Sequence, residues 1–411
     1  MTHPPISSNS STPNWQRPIW VLAALLATLS TLGPFSIDTY LPAFEGIEHD
    51  LGTGPLQMQQ TLSGYLMGFS VMMLFHGALS DSFGRRRVVF GGLLVFTIAS
   101  VICATSTHIG TLIGGRIVQG MSCGAGMVVG RAIVRDLFSA ADAQRLMSQI
   151  TLFFGIAPAL APIIGGWMFT LSGWRAIFWF LTLVPAALLV LTWRALPETL
   201  PPEKRQPFAL RPLTRAYLNV LGDPRFLLLT IASGIPFNAM FIFVMAAPTF
   251  LGHHLGFAPT QFFWLFLATI SGIMGGAWTS GRLAGRILRE RQVQIGFTIL
   301  LCAAALNALW HCFVTPTPLS AILPIALISY GWSLLTPCVT LMVMDLFPAR
   351  LGMASSLQGF LATMSNALVA GLIAPAVMGS VEGLAATSFL LGLSGWISWK
   401  LYRIKSRQAA A

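Results

Sequence analysis

Long apolar stretches separated by short polar segments dominate this chain. Twelve of them hold about 20 mainly apolar residues, the length that an α-helix needs to cross the hydrocarbon core of a bilayer. Because the backbone finds no water there, a helix must satisfy its polar groups internally. The pattern therefore predicts an all-α integral membrane protein with twelve transmembrane helices. We place the spans at residues 18–42, 54–77, 88–106, 109–134, 143–171, 176–196, 226–250, 260–281, 293–314, 320–344, 351–377 and 384–399.

The composition excludes a water-soluble fold. Of the 411 residues, 55% are hydrophobic and 9% are charged, and the mean hydropathy is +0.73. Charged residues normally make up about a quarter of a soluble protein. The five cysteines lie in apolar runs without metal-binding spacing, and we expect neither a disulfide framework nor a metal site.

The net charge of +11 first suggests a nucleic-acid partner, but its distribution argues otherwise. If the N-terminus is cytoplasmic, all but two of the 24 lysines and arginines fall in cytoplasmic segments. The exceptions are Arg175, in a short outside loop, and Arg116, inside a span. This follows the positive-inside rule, so we expect a multi-pass protein with both termini in the cytoplasm and no nucleic-acid partner.

The longest polar stretch between spans divides the chain into two halves. It lies between spans six and seven and is rich in proline and charge. We therefore expect two pseudo-symmetric six-helix bundles, as in transporters whose halves move about a shared site. The predicted regions are a cytoplasmic tail at 1–17, bundles at 18–196 and 226–399, a central loop at 197–225 and a second cytoplasmic tail at 400–411.

Two ionisable residues stand out because they lie well inside predicted spans, where charge costs about 2.5 to 3.5 kcal/mol. Asp38 is in span one and Arg116 is in span four, both in the outward half of the helix. A carboxylate whose partner or solvent access changes between conformations can take up and release a proton. The alternative is a fixed Asp38–Arg116 ion pair that joins two helices.

A charged cluster follows span two at the predicted cytoplasmic mouth. Glycines there allow a tight turn, and the acidic and basic side chains can pair with one another. We interpret it either as a gate that closes the inner mouth or as a topology signal with a helix cap. Its residues are Gly77, Asp81, Gly84, Arg85 and Arg86, and we expect Asp136, at the inner end of span four, to complete it.

Span five is rich in glycine and proline, which favours a bend and close helix packing. The residues are Gly155, Pro158, Pro162, Gly165 and Gly166. Spans also contain aromatic and amide side chains that suit an apolar cavity with a few polar anchors. The cavity candidates are Phe35, Tyr40, Tyr65, Gln119, Phe153, Phe154, Phe237, Asn238, Phe241 and Tyr330. For any one of these, core packing or lipid contact is the alternative.

Enzyme signatures are missing or misplaced. The only G-x-S-x-G match, Gly120 to Gly124, lies inside a span without the strand-to-helix turn that a nucleophile elbow needs. No nucleotide-binding or zinc-protease motif occurs. We expect a non-enzyme without a cofactor, most simply a monomer in the lipid bilayer that transports a small molecule.

Several of these motifs resemble those of the major facilitator superfamily. The stretch Gly77–Arg87 resembles its signature loop, Leu112, Arg116, Gln119 and Gly120 its fourth-helix motif, and residues 157–166 its antiporter motif. Residues 36–42, 177–179 and 197–207 resemble the bicyclomycin and chloramphenicol resistance (Bcr/CflA) branch of drug:proton antiporters.

The resemblance implies a proton-driven multidrug efflux antiporter of the bacterial inner membrane that uses the proton gradient as its energy source. In this interpretation Asp38 carries the proton, Arg116 stabilises its charged form, and the Gly77–Arg87 loop with Asp136 gates the inner mouth. The alternatives are a proton symporter that imports a small metabolite and a receptor or scaffold without transport.

Overall fold

The computed structural model describes residues 19–138 and 140–408, and all regular structure in these ranges is helical. The first predicted tail, 1–17, lies outside the described residues, as do residues 409–411 of the second. Twelve segments are long and apolar enough to span a membrane, which confirms the predicted number of transmembrane helices and makes this a multi-pass membrane protein.

The first half contains seven helices. They are α1 (Ile19–Asp38), α2 (Phe44–Leu51), α3 (Pro55–Phe83), α4 (Arg85–Ala104), α5 (Ile109–Leu137), α6 (Ala140–Ser172) and α7 (Trp174–Ala195).

After α8 (Leu210–Leu221), the second half follows with eight helices. They are α9 (Pro224–Gly234), α10 (Asn238–Met245), α11 (Phe263–Leu283), α12 (Arg289–Phe313), α13 (Pro318–Leu346), α14 (Leu351–Leu368), α15 (Ala374–Val377) and α16 (Val381–Gln408).

Three spans are interrupted, which hydropathy alone does not reveal. Span one ends as an α-helix at Asp38 and continues through a 3₁₀ turn into α2. Span seven contains a 3₁₀ turn at Ile235–Phe237 and is followed by a π-helical segment, and span eleven has a π-helical segment at Val369–Ile373. Such irregular backbone is tolerated at membrane depth where it is buried in protein or lines a cavity.

The turn after span two begins later than the sequence suggests. Gly77 lies inside α3, which runs on to Phe83. Of these two glycines, Gly84 is the one with a positive φ, of 100°. A side chain at Gly84 would also collide with the Glu198 carboxylate. The chain therefore reverses at Gly84 alone, because that position needs both an unusual φ and no Cβ.

The central polar segment is not only a loop. Its residues 210–221 form α8, whose buried Val220 and half-buried Tyr217 face the protein. The Tyr217 hydroxyl donates a hydrogen bond of 2.9 Å to the carbonyl of Leu74 on α3, and burial raises the pKa of this phenol. The α8 helix thus joins the two halves, because Val220 and Tyr217 also pack on the hydrophobic core of the second half.

We name the two ends of the bundle after glycines with positive φ: the Gly52 end, where α2 meets α3, and the Gly84 end, where α3 meets α4. The halves meet tightly at the Gly52 end. Gln59 Nε2 donates to the carbonyl of Met245 at 2.9 Å, and Ser63 Oγ donates to that of Ala367 at 2.8 Å.

Glycines on α5 set its distance from α3. A Cβ at Gly120 would collide with the backbone carbonyl of Tyr65, whereas a Cβ at Gly114 would meet nothing within 4 Å. The glycines of a small-xxx-small pattern thus act here within one chain, where they bring two helix backbones into contact.

We predict that Gly120→Ala destabilises the protein and that Gly114→Ala, on the same helix, does not. Overpacking of this kind costs about 1 to 3 kcal/mol. Thermal unfolding of the two purified variants in detergent tests the prediction, and equal melting temperatures would contradict it.

Candidate functional site

A cavity of about 410 Å³ lies between the two halves. Its wall is formed mainly by aromatic rings and sulfur-containing side chains from both halves. The larger side chains are Tyr65, Phe69, Met73, Met127, Phe237, Met240, Phe241, Phe266 and Trp332. Smaller polar contributions come from Ser30, Thr269, Thr363 and Asn366.

Asp38 is the one acidic or basic side chain in the described wall of this cavity. It is the last residue of α1, and its side chain is buried, with 5% of the residue exposed. No hydrogen bond or ion pair to its carboxylate is found among the described residues. Pro34 and Gly33, one turn earlier on α1, belong to the same wall. The cavity thus presents one carboxyl group in otherwise apolar surroundings.

Arg116 is completely buried and is not part of the cavity wall. Its Nη1 donates to the carbonyl of Ser36 at 3.2 Å and to Gln119 Oε1 at 2.9 Å. Its guanidinium carbon lies 4.8 Å from the ring centre of Tyr40 and 4.4 Å from that of Tyr65. Two aromatic faces and two oxygen acceptors therefore hold this cation.

No ion pair joins Asp38 to Arg116 in the part of the chain that the structure describes. The two are nevertheless close in the fold, because the carbonyl that binds Arg116 belongs to Ser36, two residues before Asp38. The Nε and Nη2 atoms of Arg116 are buried without partners among the described residues. The arrangement differs from the fixed ion pair considered from the sequence.

The structure brings three of the sequence-predicted cavity residues into the wall: Tyr65, Phe237 and Phe241. Six others whose side chains are described lie outside the wall. Phe35 packs 6.0 Å from Phe180 on α7, and the Tyr40 ring packs on Phe44 and Phe178. Which face of a helix points inward depends on packing and not on residue type.

The remaining polar candidates have partners inside their own half. Gln119 bonds Arg116 and Ser100, Asn238 donates to Ser365 Oγ at 3.1 Å, and the Tyr330 hydroxyl donates to Thr279 at 2.8 Å. Phe153 is 55% exposed and lies outside the wall. The Phe154 side chain lies outside the described residues.

Several wall residues escaped the sequence analysis. Asn366 is the clearest of them, because an amide inside an apolar span is costly and its Oδ1 is buried without a partner among the described residues. Phe69, Met73, Met127 and Phe266 carry no such signal, since they resemble any other apolar span residue.

The glycine and proline residues of α6 serve two purposes. Pro158 lines the cavity, and Gly165 lies against the carbonyl of Thr39, next to Asp38. A Cβ on Gly166 would lie 2.7 Å from the carbonyl of Pro259 in the other half. A Cβ on Gly155 would meet nothing within 4 Å. Close packing is thus concentrated in the last part of the motif, at the Gly52 end.

The charged cluster at the Gly84 end is assembled around Arg85. This side chain, 5% exposed, pairs with Asp81, and its Nε lies 3.2 Å from Asp136 Oδ2. It also donates to Ser80 Oγ at 2.6 Å. Arg86 lies outside this network, and its Nη2 donates to the carbonyl of Trp193. Gly77 lies within α3, where its carbonyl accepts a hydrogen bond of 2.9 Å from Ser80 Oγ.

The central segment completes this cluster. Glu198 accepts a hydrogen bond of 2.8 Å from the backbone N–H of Arg85, and Thr199 donates one of 3.1 Å to Asp136. The backbone N–H of Gln206 donates to the carbonyl of Asp81 at 3.1 Å. Neither Glu198 nor Thr199 was predicted from the sequence to belong to the gate. Their signal is an acidic and a hydroxyl residue next to the basic central segment.

The second half contains a simpler counterpart. Arg289, in the first turn of α12, pairs with Asp345 near the end of α13 at 2.7 Å. Both side chains are at least half exposed, in contrast to Arg85. The same two helix positions are therefore paired in both halves, but only the first half buries the arginine.

We predict that Arg85→Gln lowers stability clearly more than Arg289→Gln. Losing charged hydrogen bonds at a buried group costs about 1.5 to 3 kcal/mol, whereas an exposed pair is worth at most about 1 kcal/mol. Melting temperatures of the two variants in detergent test this. An equal loss in both would mean that burial of Arg85 adds nothing.

Comparison with known proteins identifies the family of this chain. Residues 24–375 match the family model of the Major Facilitator Superfamily. The chain is 32% identical to a bicyclomycin resistance protein homolog of Haemophilus influenzae over 286 residues, covering 70% of this chain and 72% of the relative. It is 28% identical to multidrug resistance protein D of Escherichia coli over 382 residues, covering 92% and 94%.

Among solved structures, the fold is similar to that of a D-xylose-proton symporter, with a TM-score of 0.68 at 15% identity. The match covers 92% of this chain and 97% of the symporter. The names of the relatives are consistent with the Bcr/CflA branch suggested by the sequence motifs. The chain belongs to the Major Facilitator Superfamily of membrane transporters.

Proposed function

We propose that this transporter exports small amphiphilic compounds of the antibiotic type in exchange for protons. One observation carries the proposal: the cavity between the halves is apolar and aromatic and holds a single charged side chain, Asp38, in its described wall. Such a cavity suits an apolar compound with few polar groups. This carboxyl group is the one acidic or basic side chain in the described wall, and we infer that it is the proton site.

The relatives support the choice of substrate class. Two of them are named for resistance to bicyclomycin and to multiple drugs. The predicted basic loops and this kinship favour the inner membrane of a bacterium, with the Gly84 end in the cytoplasm and the Gly52 end outside.

The contacts between the halves support alternating access. At the Gly52 end, side chains of one half bond backbone carbonyls of the other, through Gln59 and Ser63. At the Gly84 end, the contacts between α3 and α14 involve thioether groups, such as Met73 against Gly359 and Thr363. We infer that the outside is the more firmly sealed side in this conformation.

In this cycle Asp38 carries the proton. A carboxyl group that faces first one solution and then the other can bind a proton on one side and release it on the other. Arg116 binds the carbonyl of Ser36, two residues before Asp38. In this proposal its positive charge stabilises the ionised form of Asp38. The network around Arg85 holds α3, α4, α5 and the central segment together at the inner mouth.

We predict that Asp38→Asn abolishes proton-coupled efflux without loss of folding. The measurement is efflux of a panel of antibiotics and fluorescent dyes from cells that lack their own pumps, with and without an uncoupler. Asp50→Asn is the matched control, because Asp50 bonds Trp174 and Arg175 at the Gly52 end and lies outside the cavity wall. We expect an at least tenfold loss for Asp38→Asn and near-normal efflux for the control.

Two results would contradict this proposal. If Asp38→Asn still exports the panel in an uncoupler-sensitive way, the proton is carried elsewhere. In inverted vesicles with an acidic interior, adding an exported compound to an antiporter must release protons. A symporter is not driven to accumulate the compound in such vesicles, so a compound that neither accumulates nor releases protons would contradict antiport.

We also predict that a disulfide between Ser63→Cys and Gly371→Cys blocks transport. A Cβ on Gly371 would lie 2.8 Å from that of Ser63, so the two thiols need only a small backbone shift to bond. Oxidation should lock the Gly52 end closed and stop efflux, and a reducing agent should restore it. Each single variant is the control. Undiminished efflux with the disulfide formed would rule out opening at this interface.

A further inference from the structure

Tyr65 belongs both to the cavity and to the surroundings of Arg116. Its side chain is part of the cavity wall, and its ring centre lies 4.4 Å from the guanidinium carbon of Arg116. Tyr40 also contacts this guanidinium, at 4.8 Å, but is not part of the wall. A compound in the cavity therefore touches one of the two rings that hold Arg116.

The Tyr65 hydroxyl fastens three helices to one another. It accepts a hydrogen bond of 2.8 Å from Ser36 Oγ on α1. Its single hydrogen can be donated to the carbonyl of Gly33 on α1, at 3.2 Å, or to Cys123 Sγ on α5, at 3.0 Å. Tyr65, on α3, thus ties the last turn of α1 to α5.

The same turn of α1 carries the proton site. Ser36 bonds Tyr65 with its side chain and Arg116 with its backbone carbonyl, and Asp38 follows two residues later. The backbone of Tyr65 cannot move toward α5, because its carbonyl already lies in close contact with Gly120. A displacement of the Tyr65 ring must therefore be passed on to the α1 turn, to Arg116, or to both.

The charged surroundings of this turn are simple. The titratable or charged groups that face it are Arg116 and Cys123 from α5, Tyr65 from α3 and Tyr40 from the segment after α1. The neighbours that the structure describes on α7 and α6 are uncharged, namely Phe180 and the glycine and proline residues of the motif. The described wall contributed by the second half holds no acidic or basic side chain. Arg116 is thus the one full charge among the described groups around this turn.

We propose that Tyr65 is a positioning residue for the proton site: it fixes the Asp38 turn relative to Arg116 and lets a compound in the cavity alter this arrangement. The inference rests on the proposed role of Asp38 as proton carrier. It assigns to Tyr65 a role in coupling, distinct from simple packing or substrate contact.

The test uses the reagent dicyclohexylcarbodiimide, which adds to protonated carboxyl groups in apolar surroundings. Mass spectrometry of the Asp38 peptide from the full-length protein in detergent gives the extent of labelling at each pH. Asp38→Asn serves as the blank. In Tyr65→Phe, the ring still covers Arg116, but the hydroxyl no longer holds the α1 turn.

We expect the labelling midpoint of Tyr65→Phe to move to higher pH by at least half a unit, about threefold in proton affinity. The reason is that a looser α1 turn gains less from the charge of Arg116 when Asp38 ionises. The pH profile of efflux should move in the same direction.

Tyr40→Phe is the matched control. Tyr40 is equally buried, also covers Arg116 and also loses a hydroxyl hydrogen bond, of 2.9 Å to Thr61, but it does not touch the cavity. Its midpoint should stay within about 0.2 units of the wild type, since the α1 turn remains tied. Ser36→Ala removes the same link from the α1 side, should behave like Tyr65→Phe, and replaces it if that variant fails to fold.

The inference is overturned if Tyr65→Phe and Ser36→Ala label with the wild-type midpoint, or if Tyr40→Phe shifts as far as they do. Failure of the proposed function looks different. In that case labelling of the wild type still depends on pH, and the Tyr65 shift is still seen, but efflux does not depend on the proton gradient.

Discussion

A full positive charge inside an apolar helix bundle must be solvated by the protein itself, and the first half of this molecule is organised around that requirement. Arg116 receives two oxygen acceptors and two aromatic faces instead of a carboxylate. To provide them, α1 must end beside α5, and α3 must lie close enough for Tyr65 to reach across. The glycine contact between Gly120 and Tyr65 makes this approach possible. The position of Asp38 in the cavity wall is a result of the same packing.

The two halves share an architecture but not a distribution of polar groups. In each half, an arginine in the first turn of one helix pairs with an aspartate near the end of the next helix. The pairs are Arg85–Asp136 and Arg289–Asp345, as an internal repeat leads us to expect. Only the first half adds Ser80, Glu198 and Thr199 to its pair and buries the arginine. The second half contributes mainly aromatic and thioether surface to the cavity, together with Asn366. In the proposed function, proton chemistry and substrate contact are therefore divided unequally between the halves.

Much of this could be predicted from the sequence, because the membrane restricts what a chain can do. The number of spans and the burial of Asp38 and Arg116 inside them follow from the energy of placing polar groups in lipid. Which side chains of a helix face the cavity cannot be predicted in this way. Phe35 and Tyr40 flank the Asp38 turn, yet both face α-helical neighbours and not the cavity.

Other features depend on contacts between distant segments, which a pattern along the chain cannot show. The importance of Glu198 depends on the approach of the central segment to Gly84, more than a hundred residues earlier. The separation of Arg116 from the cavity depends on Tyr65 lying between them. In both cases, the residue types were visible in the sequence but their partners were not.

The sulfur atoms in the cavity wall have a consequence for the range of compounds the protein can accept. Met73, Met127 and Met240 have unbranched, polarisable side chains that change rotamer at little cost, next to rigid rings such as Trp332. A wall of this kind adapts its outline to differently shaped guests while the backbone stays in place. The same thioethers become polar sulfoxides on oxidation. If the proposed export function holds, peroxide would thus make the cavity wall more polar and would narrow the range of compounds that the protein binds.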